Sequence, residues 1–308
     1  MNDHDKIFKE IESITENAAD FIQGTFPKHL VQQLDLDSLK LEKTSYLDDT
    51  LKESFCDLVY SCRYSGRTVV TITLLFEHKS SPVRHPHLQL LRYMLRIWEA
   101  QLKKERHLQP VIPVIFYHGR KRWTYRSFAE SFAGVDALLE RFVPRFDYLL
   151  TDLSQYDARA IRETLFKRDA NRILMQLLKY VGDERLIEEH FQEIFAPGIG
   201  YFREPEGESF LISVLVYIYR TADLSPDSVV QRLSEISREG GQIAMTTATR
   251  LHEEGKRQGI AEGKQQGIQE ERRMNAQRML ADNVPIQAIA KYTGLSITEI
   301  EVLRDKQG

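Results

Sequence analysis

Eight residues constrain this chain more than any other stretch: Val69-Val70-Thr71-Ile72-Thr73-Leu74-Leu75-Phe76. The run is almost wholly apolar and rich in β-branched side chains, which pack well on a pleated surface. It ends in a charged triplet, Glu77-His78-Lys79. A second strand-like run, Phe55-Cys56-Asp57-Leu58-Val59-Tyr60, precedes it, with Ser65-Gly66 between the two. Strands over 54–63 and 68–79 joined by that turn form an antiparallel hairpin. Their apolar residues run continuously where a half-exposed strand would alternate, which is the pattern of a sheet covered on both faces. A helix over 6–23, a strand over 39–47, a long helix over 84–106 with Leu88, Leu91, Leu95 and Trp98 on one face, a short buried strand at 111–117, a helical patch after Arg122 and a strand at 143–151 complete the order. That order predicts an α/β layer fold of the form αβββαβ.

Successive strand residues point to opposite faces, so Glu77 and Lys79 share one. Whether Asp57 joins them depends on the turn. A two-residue loop pairs Asp57 with Leu74 and puts it on the opposite face from Glu77. A three-residue loop, 65–67, pairs Asp57 with Leu75 and gathers all three on one face. A chemical site here therefore requires an odd loop or a bulge. Hard cations such as Mg²⁺ take carboxylate oxygens and keep water positions open for phosphodiester hydrolysis. Asp57 and Glu77 are ligands of that kind, and the backbone carbonyl of His78 is a third candidate. Lys79 suits orienting or deprotonating the attacking water, or neutralising developing charge. The plainer reading is a solvated strand end with a weak ion pair.

Net charge is −3, so no global field draws nucleic acid to the chain. The distribution is uneven. From Arg84 to Arg126 ten basic residues (84, 92, 96, 103, 104, 106, 120, 121, 122 and 126) face two glutamates, 99 and 105. Phosphate binding depends on such local patches, although a solvated helix face followed by a basic loop reads the same way. Two cysteines, Cys56 and Cys62, suit neither a zinc cluster nor a disulfide framework. No apolar run approaches the ~20 residues of a membrane span, and the N-terminus lacks a signal-peptide pattern. Together these point to a reducing cytoplasm.

Beyond Ser154 the character changes. Residues 156–237 read as successive helices. Glycines at 255, 259, 263 and 267 then recur every fourth residue. Each costs a helix about 1 kcal/mol relative to alanine, so the stretch reads either as a flexible tether or as a helix with close backbone contacts. Residues 286–303 resemble a small helix-turn-helix, with Gly294 at the turn and a Ser296-x-x-Glu299 capping box. Glu299, Glu301 and Asp305 make it a poor DNA reader and a better packing or oligomerising element. The expected divisions are 1–153, 154–240 and 241–308.

Several motifs together resemble a known family. His4-Asp5-x-x-Phe8-Lys9, Leu47-Asp48-Asp49, Glu53-Ser54-x-x-Asp57-Leu58, Phe76-Glu77-His78-Lys79-Ser80 and Phe116-Tyr117-His118-Gly119 are similar to the Rpn family of recombination-promoting nucleases, also called YhgA-like transposases. The resemblance covers most of the chain and extends to Thr293-Gly294-Leu295-Ser296. It implies a PD-(D/E)XK-type nuclease domain with divalent-metal-dependent DNA cleavage and a role in recombination. By motif match Asp57 and Glu77 take the metal-ligand positions and Lys79 the lysine position. Asp5 falls in the family's His-Asp pair and is read here as a helix cap. Gln89-x-x-x-Tyr93 resembles an element of RecB-like nucleases that supports the site and the DNA; a surface glutamine and a core tyrosine is the competing reading.

The expectation is a DNA endonuclease acting on double-stranded DNA with low sequence preference. It would use Mg²⁺ or another divalent cation such as Mn²⁺ or Ca²⁺. Arg120, Lys121 and Arg122 would hold phosphates, and the tail is a candidate homo-oligomer contact. A catalytically silent DNA-binding or oligomerising protein, and a DDE-type transposase, are the alternatives.

Overall fold

The computed structural model describes residues 3–42, 56–66, 68–77, 82–104, 107–132 and 134–305. The chain divides into two units, Met1–Thr247 and Ala248–Gly308.

The first unit is built on a five-stranded sheet in sequential order: β1 (Leu34–Leu41), β2 (Cys56–Tyr64), β3 (Thr68–Glu77), β4 (Val111–Tyr117) and β5 (Leu149–Asp152). The first three strands pair antiparallel, whereas β3, β4 and β5 run parallel. Helix α3 (Pro86–Lys103) makes the crossover from β3 to β4, as a parallel pair requires. The sheet thus confirms the α/β expectation, with differences at its edges. The first strand begins at Leu34, earlier than the expected 39. The last is confined to 149–152, and the helical patch expected after residue 122 is reduced to 3₁₀ turns at Ala129–Ser131 and Leu139–Phe142.

The single helix expected over 6–23 is two, α1 (Asp3–Glu12) and α2 (Thr15–Thr25). Local side chains make the break. The Ser13 hydroxyl donates to the Lys9 carbonyl, and the Asn17 amide donates to the Ile11 carbonyl at 2.9 Å. The Asn17 bond occupies a carbonyl that a continuous helix would have offered to the N–H of Thr15, and Ile14 turns extended at the break.

Both faces of the sheet are covered. Leu58, Tyr60, Cys62, Val70, Ile72, Val114 and Phe116 face α1, α2 and the later helices α4 (Asp169–Tyr180), α5 (Pro205–Thr221) and α6 (Pro226–Ile236) in one apolar cluster. Phe8 stacks on Phe116 at 4.9 Å between centroids. Asp20 ties α2 to the start of α4, accepting from the backbone N–H groups of Lys167 (2.8 Å) and Arg168 (3.1 Å). On the opposite face, Val59, Val111, Ile115 and Tyr117 meet α3. Of the expected stripe Leu88, Leu91, Leu95 and Trp98, Trp98 packs partly buried against Val59, Met94, Ile97 and Val111, but Leu88 and Leu95 do not form the buried face. Pro86, His87, Leu90, Tyr93, Met94 and Ile97 are buried, while Leu88 and Leu95 are about half exposed (51% and 52%).

Helix α7 (Arg238–Ala281) runs unbroken through all four periodic glycines, so that stretch is helical, not a flexible tether. A Cβ added at any of the four would meet nothing within 4 Å. In the second unit Ala276 of α7 packs with Ile289 of α8 (Ile286–Thr293), Leu295, and Ile300 of α9 (Ile297–Asp305). Gly294 makes the turn at φ 70°, a left-handed conformation that glycine adopts without penalty. Ser296 and Glu299 form the expected capping box: the Ser296 N–H donates to the Glu299 carboxylate at 2.8 Å, and the Glu299 N–H donates to Ser296 Oγ at 3.3 Å. Among the described residues no helix is long and apolar enough to cross a membrane.

Candidate active site

The hairpin register decides whether the acidic positions can act together. Tyr64 pairs with Thr68 and Asp57 with Leu75, which leaves three residues, 65–67, in the connection. Ser65 and Gly66 both take positive φ, 48° and 68°. Position 57 therefore has the parity of 75 and 77, the arrangement that a three-residue loop predicts. Val59, Thr73, Ile115 and Tyr117 share that parity, so the row lies on the face that α3 covers.

Glu77 closes β3 and pairs in parallel with Tyr117, which pairs with Asp152 of β5. Three parallel strands thus deliver their carboxyl ends to one edge of the sheet. This is where open α/β sheets bind ligands. Asp57, near the start of the antiparallel β2, comes to the same edge. His78 and Lys79 lie outside the described residues.

Of the residues expected to support the site, Gln89 and Tyr93 both come from α3. Tyr93 is a core residue, 2% exposed, among Leu90, Ile115, Tyr117 and Trp123. Gln89 is half-buried, and its amide nitrogen is buried with no hydrogen-bond partner among the described residues. A buried amide donor without a protein partner is costly, and such a donor suits a phosphate or water ligand. Thr73 Oγ1, in the same row, is likewise buried without a partner among the described residues. The basic residues of 84–126 that are described are all exposed. Arg120 donates to the Gly182 carbonyl, while Lys121 and Arg122 lie open in the following loop. Trp123 is buried and meets Tyr117 edge-on at 5.0 Å, so it packs and does not await a base.

Asp5 lies in the first turn of α1 and is 7% exposed. Its neighbour His4 accepts or donates a 2.7 Å hydrogen bond with the Tyr217 hydroxyl and lies 5.4 Å, ring to ring, from His118. The paired His4-Asp5 and the His118-Gly119 motifs thus meet in space.

Sequence reasoning missed Asp152. It is 3% exposed, and its carboxylate accepts from Trp123 N (2.8 Å), Gln155 Nε2 (2.8 Å), Ser154 N (3.0 Å) and Ser154 Oγ (2.7 Å). These donors occupy its oxygens and fasten the 118–123 loop to β5. The Asp-x-Ser spacing was its one sequence signal, that of a local capping turn. Among the described residues, no group of three His, Cys, Asp or Glu side chains is gathered to hold a metal ion.

A family described as "Putative transposase, YhgA-like" matches residues 2–197. The chain belongs to this family. It is 26% identical over 307 residues to the recombination-promoting nuclease RpnA of Escherichia coli K12, covering 96% of this chain and 95% of the relative. The recombination-promoting nuclease RpnD of E. coli O157:H7 is 34% identical over 120 residues, 38% of this chain and 46% of the relative. A third relative from strain K12, 26% identical over 84% of each chain, bears the name inactive recombination-promoting nuclease-like protein RpnE. Relatives of this chain thus include proteins named as recombination-promoting nucleases and one named as inactive. No solved structure matches the chain.

Proposed function

We propose that this protein is a divalent-metal-dependent DNA endonuclease of the PD-(D/E)XK type, with low sequence preference, whose cutting promotes recombination. The observation that carries the reading is the hairpin register, Tyr64 with Thr68, which gives positions 57 and 77 one parity at the carboxyl edge of the sheet. An even loop would have separated them. The donor set is hard oxygen: the carboxylates of Asp57 and Glu77 and the backbone carbonyl of His78. That set fits Mg²⁺, or Mn²⁺ or Ca²⁺ in its place.

A cation held there supplies Lewis acidity toward the phosphoryl oxygen and a lower pKa for the attacking water. The remaining steps belong to the chain. Lys79 orients the water or neutralises charge as it builds on the phosphate. Gln89, whose buried amide nitrogen has no partner among the described residues, binds a phosphate oxygen or the water. Arg120, Lys121 and Arg122 hold the flanking phosphates of double-stranded DNA, chiefly as a salt-dependent, sequence-independent attraction. Tyr93 fixes α3 against the sheet and so holds Gln89 on that helix in place.

Supercoiled plasmid incubated with Mg²⁺ or with chelator tests this. Metal-dependent nicking is expected, reduced about a hundredfold or more in Asp57→Ala and Lys79→Ala with folding intact. Cleavage that survives both substitutions would move the chemistry elsewhere. The second reading is a silent DNA-binding protein, favoured by the relative named as inactive; DNA binding without cleavage in any divalent metal would support it. Strand transfer of defined ends would instead indicate a DDE-type transposase.

A further inference from the structure

A cavity of about 350 Å³ opens beyond the carboxyl ends of β4 and β5, one strand over from Glu77. His118 and Arg120 line it from the loop after β4, and Leu153 from the turn after β5. Lys179, Val181 and Leu186 come from the end of α4 and the chain beyond. None of the last four belongs to a motif that the sequence singles out.

The walls are fixed. Asp152 pins the β4 loop from below through Trp123 N. Arg120 reaches across to the Gly182 carbonyl, in a turn where Gly182 takes φ +86°. Lys179 is half-buried, and its ammonium donates to the Leu153 carbonyl at 3.3 Å. Burial holds its pKa down, with Asp157 and Asp152 pulling the other way. A partly desolvated cation of this kind gains most from an incoming anion. The crevice thus offers an apolar wall (Leu153, Val181, Leu186), two cations and a carboxylate, Asp183, suited to a sugar hydroxyl or an exocyclic amine.

We propose that this crevice binds a single nucleoside phosphate. The base lies against Leu153, Val181 and Leu186, and the phosphate lies between Lys179 and Arg120. Mononucleotides are of the size that the cavity holds, and a base with its phosphate matches a wall that is apolar on one side and cationic on the other. The inference rests on the nuclease reading in one respect: the nucleotide belongs to the DNA strand held beside Glu77. A free nucleotide has the same chemistry, and the two sources are separable by experiment.

Full-length protein is titrated calorimetrically in chelator with deoxyadenosine monophosphate, deoxyadenosine and inorganic phosphate. The monophosphate is expected to bind more tightly than either part. Lys179→Met and Arg120→Gln should each weaken it about tenfold. Leu186→Trp should block it by filling the cavity while leaving both cations, and unchanged circular dichroism and melting establish that each variant is folded. In plasmid cleavage Lys179→Met should raise KM with kcat retained. If no cleavage is found but nucleotide binding depends on Lys179 and Leu186, the crevice stands with a free nucleotide as its ligand and the nuclease reading falls alone. No binding at millimolar monophosphate, equal binding by all three variants, or phosphate binding as tightly as the nucleotide would overturn the proposal.

Discussion

Glu12 is fully buried in α1, and neither carboxylate oxygen has a hydrogen-bond partner among the described residues. Burial, aided by the nearby Asp20, pushes its pKa well above the ordinary carboxylate value. The folded state therefore keeps this proton over a range in which the unfolded chain has lost it. Native Glu12 binds more protons than unfolded Glu12, so its contribution to stability falls as pH rises above the unfolded carboxylate's ordinary value of about 4.3. Glu12→Gln mimics the protonated acid at every pH. The variant should match the wild type near pH 4 and exceed it as pH rises above about 4.3 in urea denaturation; a wild-type advantage that grows with pH would contradict the assignment. Nothing in the sequence marks Glu12 as different from Glu10 or Glu16. Its burial comes from the packing of α1 on the sheet, where Tyr60 donates to the Glu12 backbone carbonyl at 2.6 Å.

Helix α3 shows the same limit one level up. Its apolar residues are dense enough that two overlapping stripes satisfy a 3.6-residue period, one through Leu88 and Leu95 and one through Leu90, Tyr93 and Ile97. Periodicity alone cannot choose between them; contact with Ile115 and Tyr117 does. Leu90→Ala should cost about 2–5 kcal/mol in denaturant unfolding, while Leu88→Ala and Leu95→Ala should stay within about 1 kcal/mol, as exposed sites do. Equal costs at all three would mean that the helix packs on the other stripe. In α7 the four glycines meet no neighbour, so Gly259→Ala and Gly263→Ala should each stabilise the helix by about 1 kcal/mol. Slower hydrogen exchange of the amides around residue 260 would register the gain, and faster exchange would show that the stripe is occupied. The hairpin, by contrast, was largely legible. Ser65-Gly66 placed the turn and the acidic positions set its phase, so the register followed from requiring a site there.

At the scale of the whole molecule, the sheet and the helices after residue 154 share one core. The cluster that holds Phe8 and Phe116 continues through Leu174, Leu211, Val214 and Leu233 to Ala244. A fragment of residues 1–153 would expose that face, and large buried aromatics are among the costliest to uncover. Such a fragment should aggregate or unfold, whereas residues 1–247 should melt in one cooperative transition, followed by circular dichroism. A stable, monomeric 1–153 would show that the sheet needs no cover from the helices.

What the sequence determined by itself was local and periodic. It specified the strands with their continuous apolar runs, the turn at Ser65-Gly66, the glycine and capping box of the last helical pair, and the alternation that puts positions 57, 77 and 79 in one phase. These follow from backbone preference and side-chain alternation, which act over a few residues. The tertiary structure decided which face of α3 is buried, that Glu12 is buried with its pKa pushed up, that Asp152 is spent on fastening a loop, and that Lys179 lines one crevice with Arg120, some sixty residues away in sequence. Each of these depends on desolvation by residues distant in sequence, and desolvation is set only when the layers close on one another.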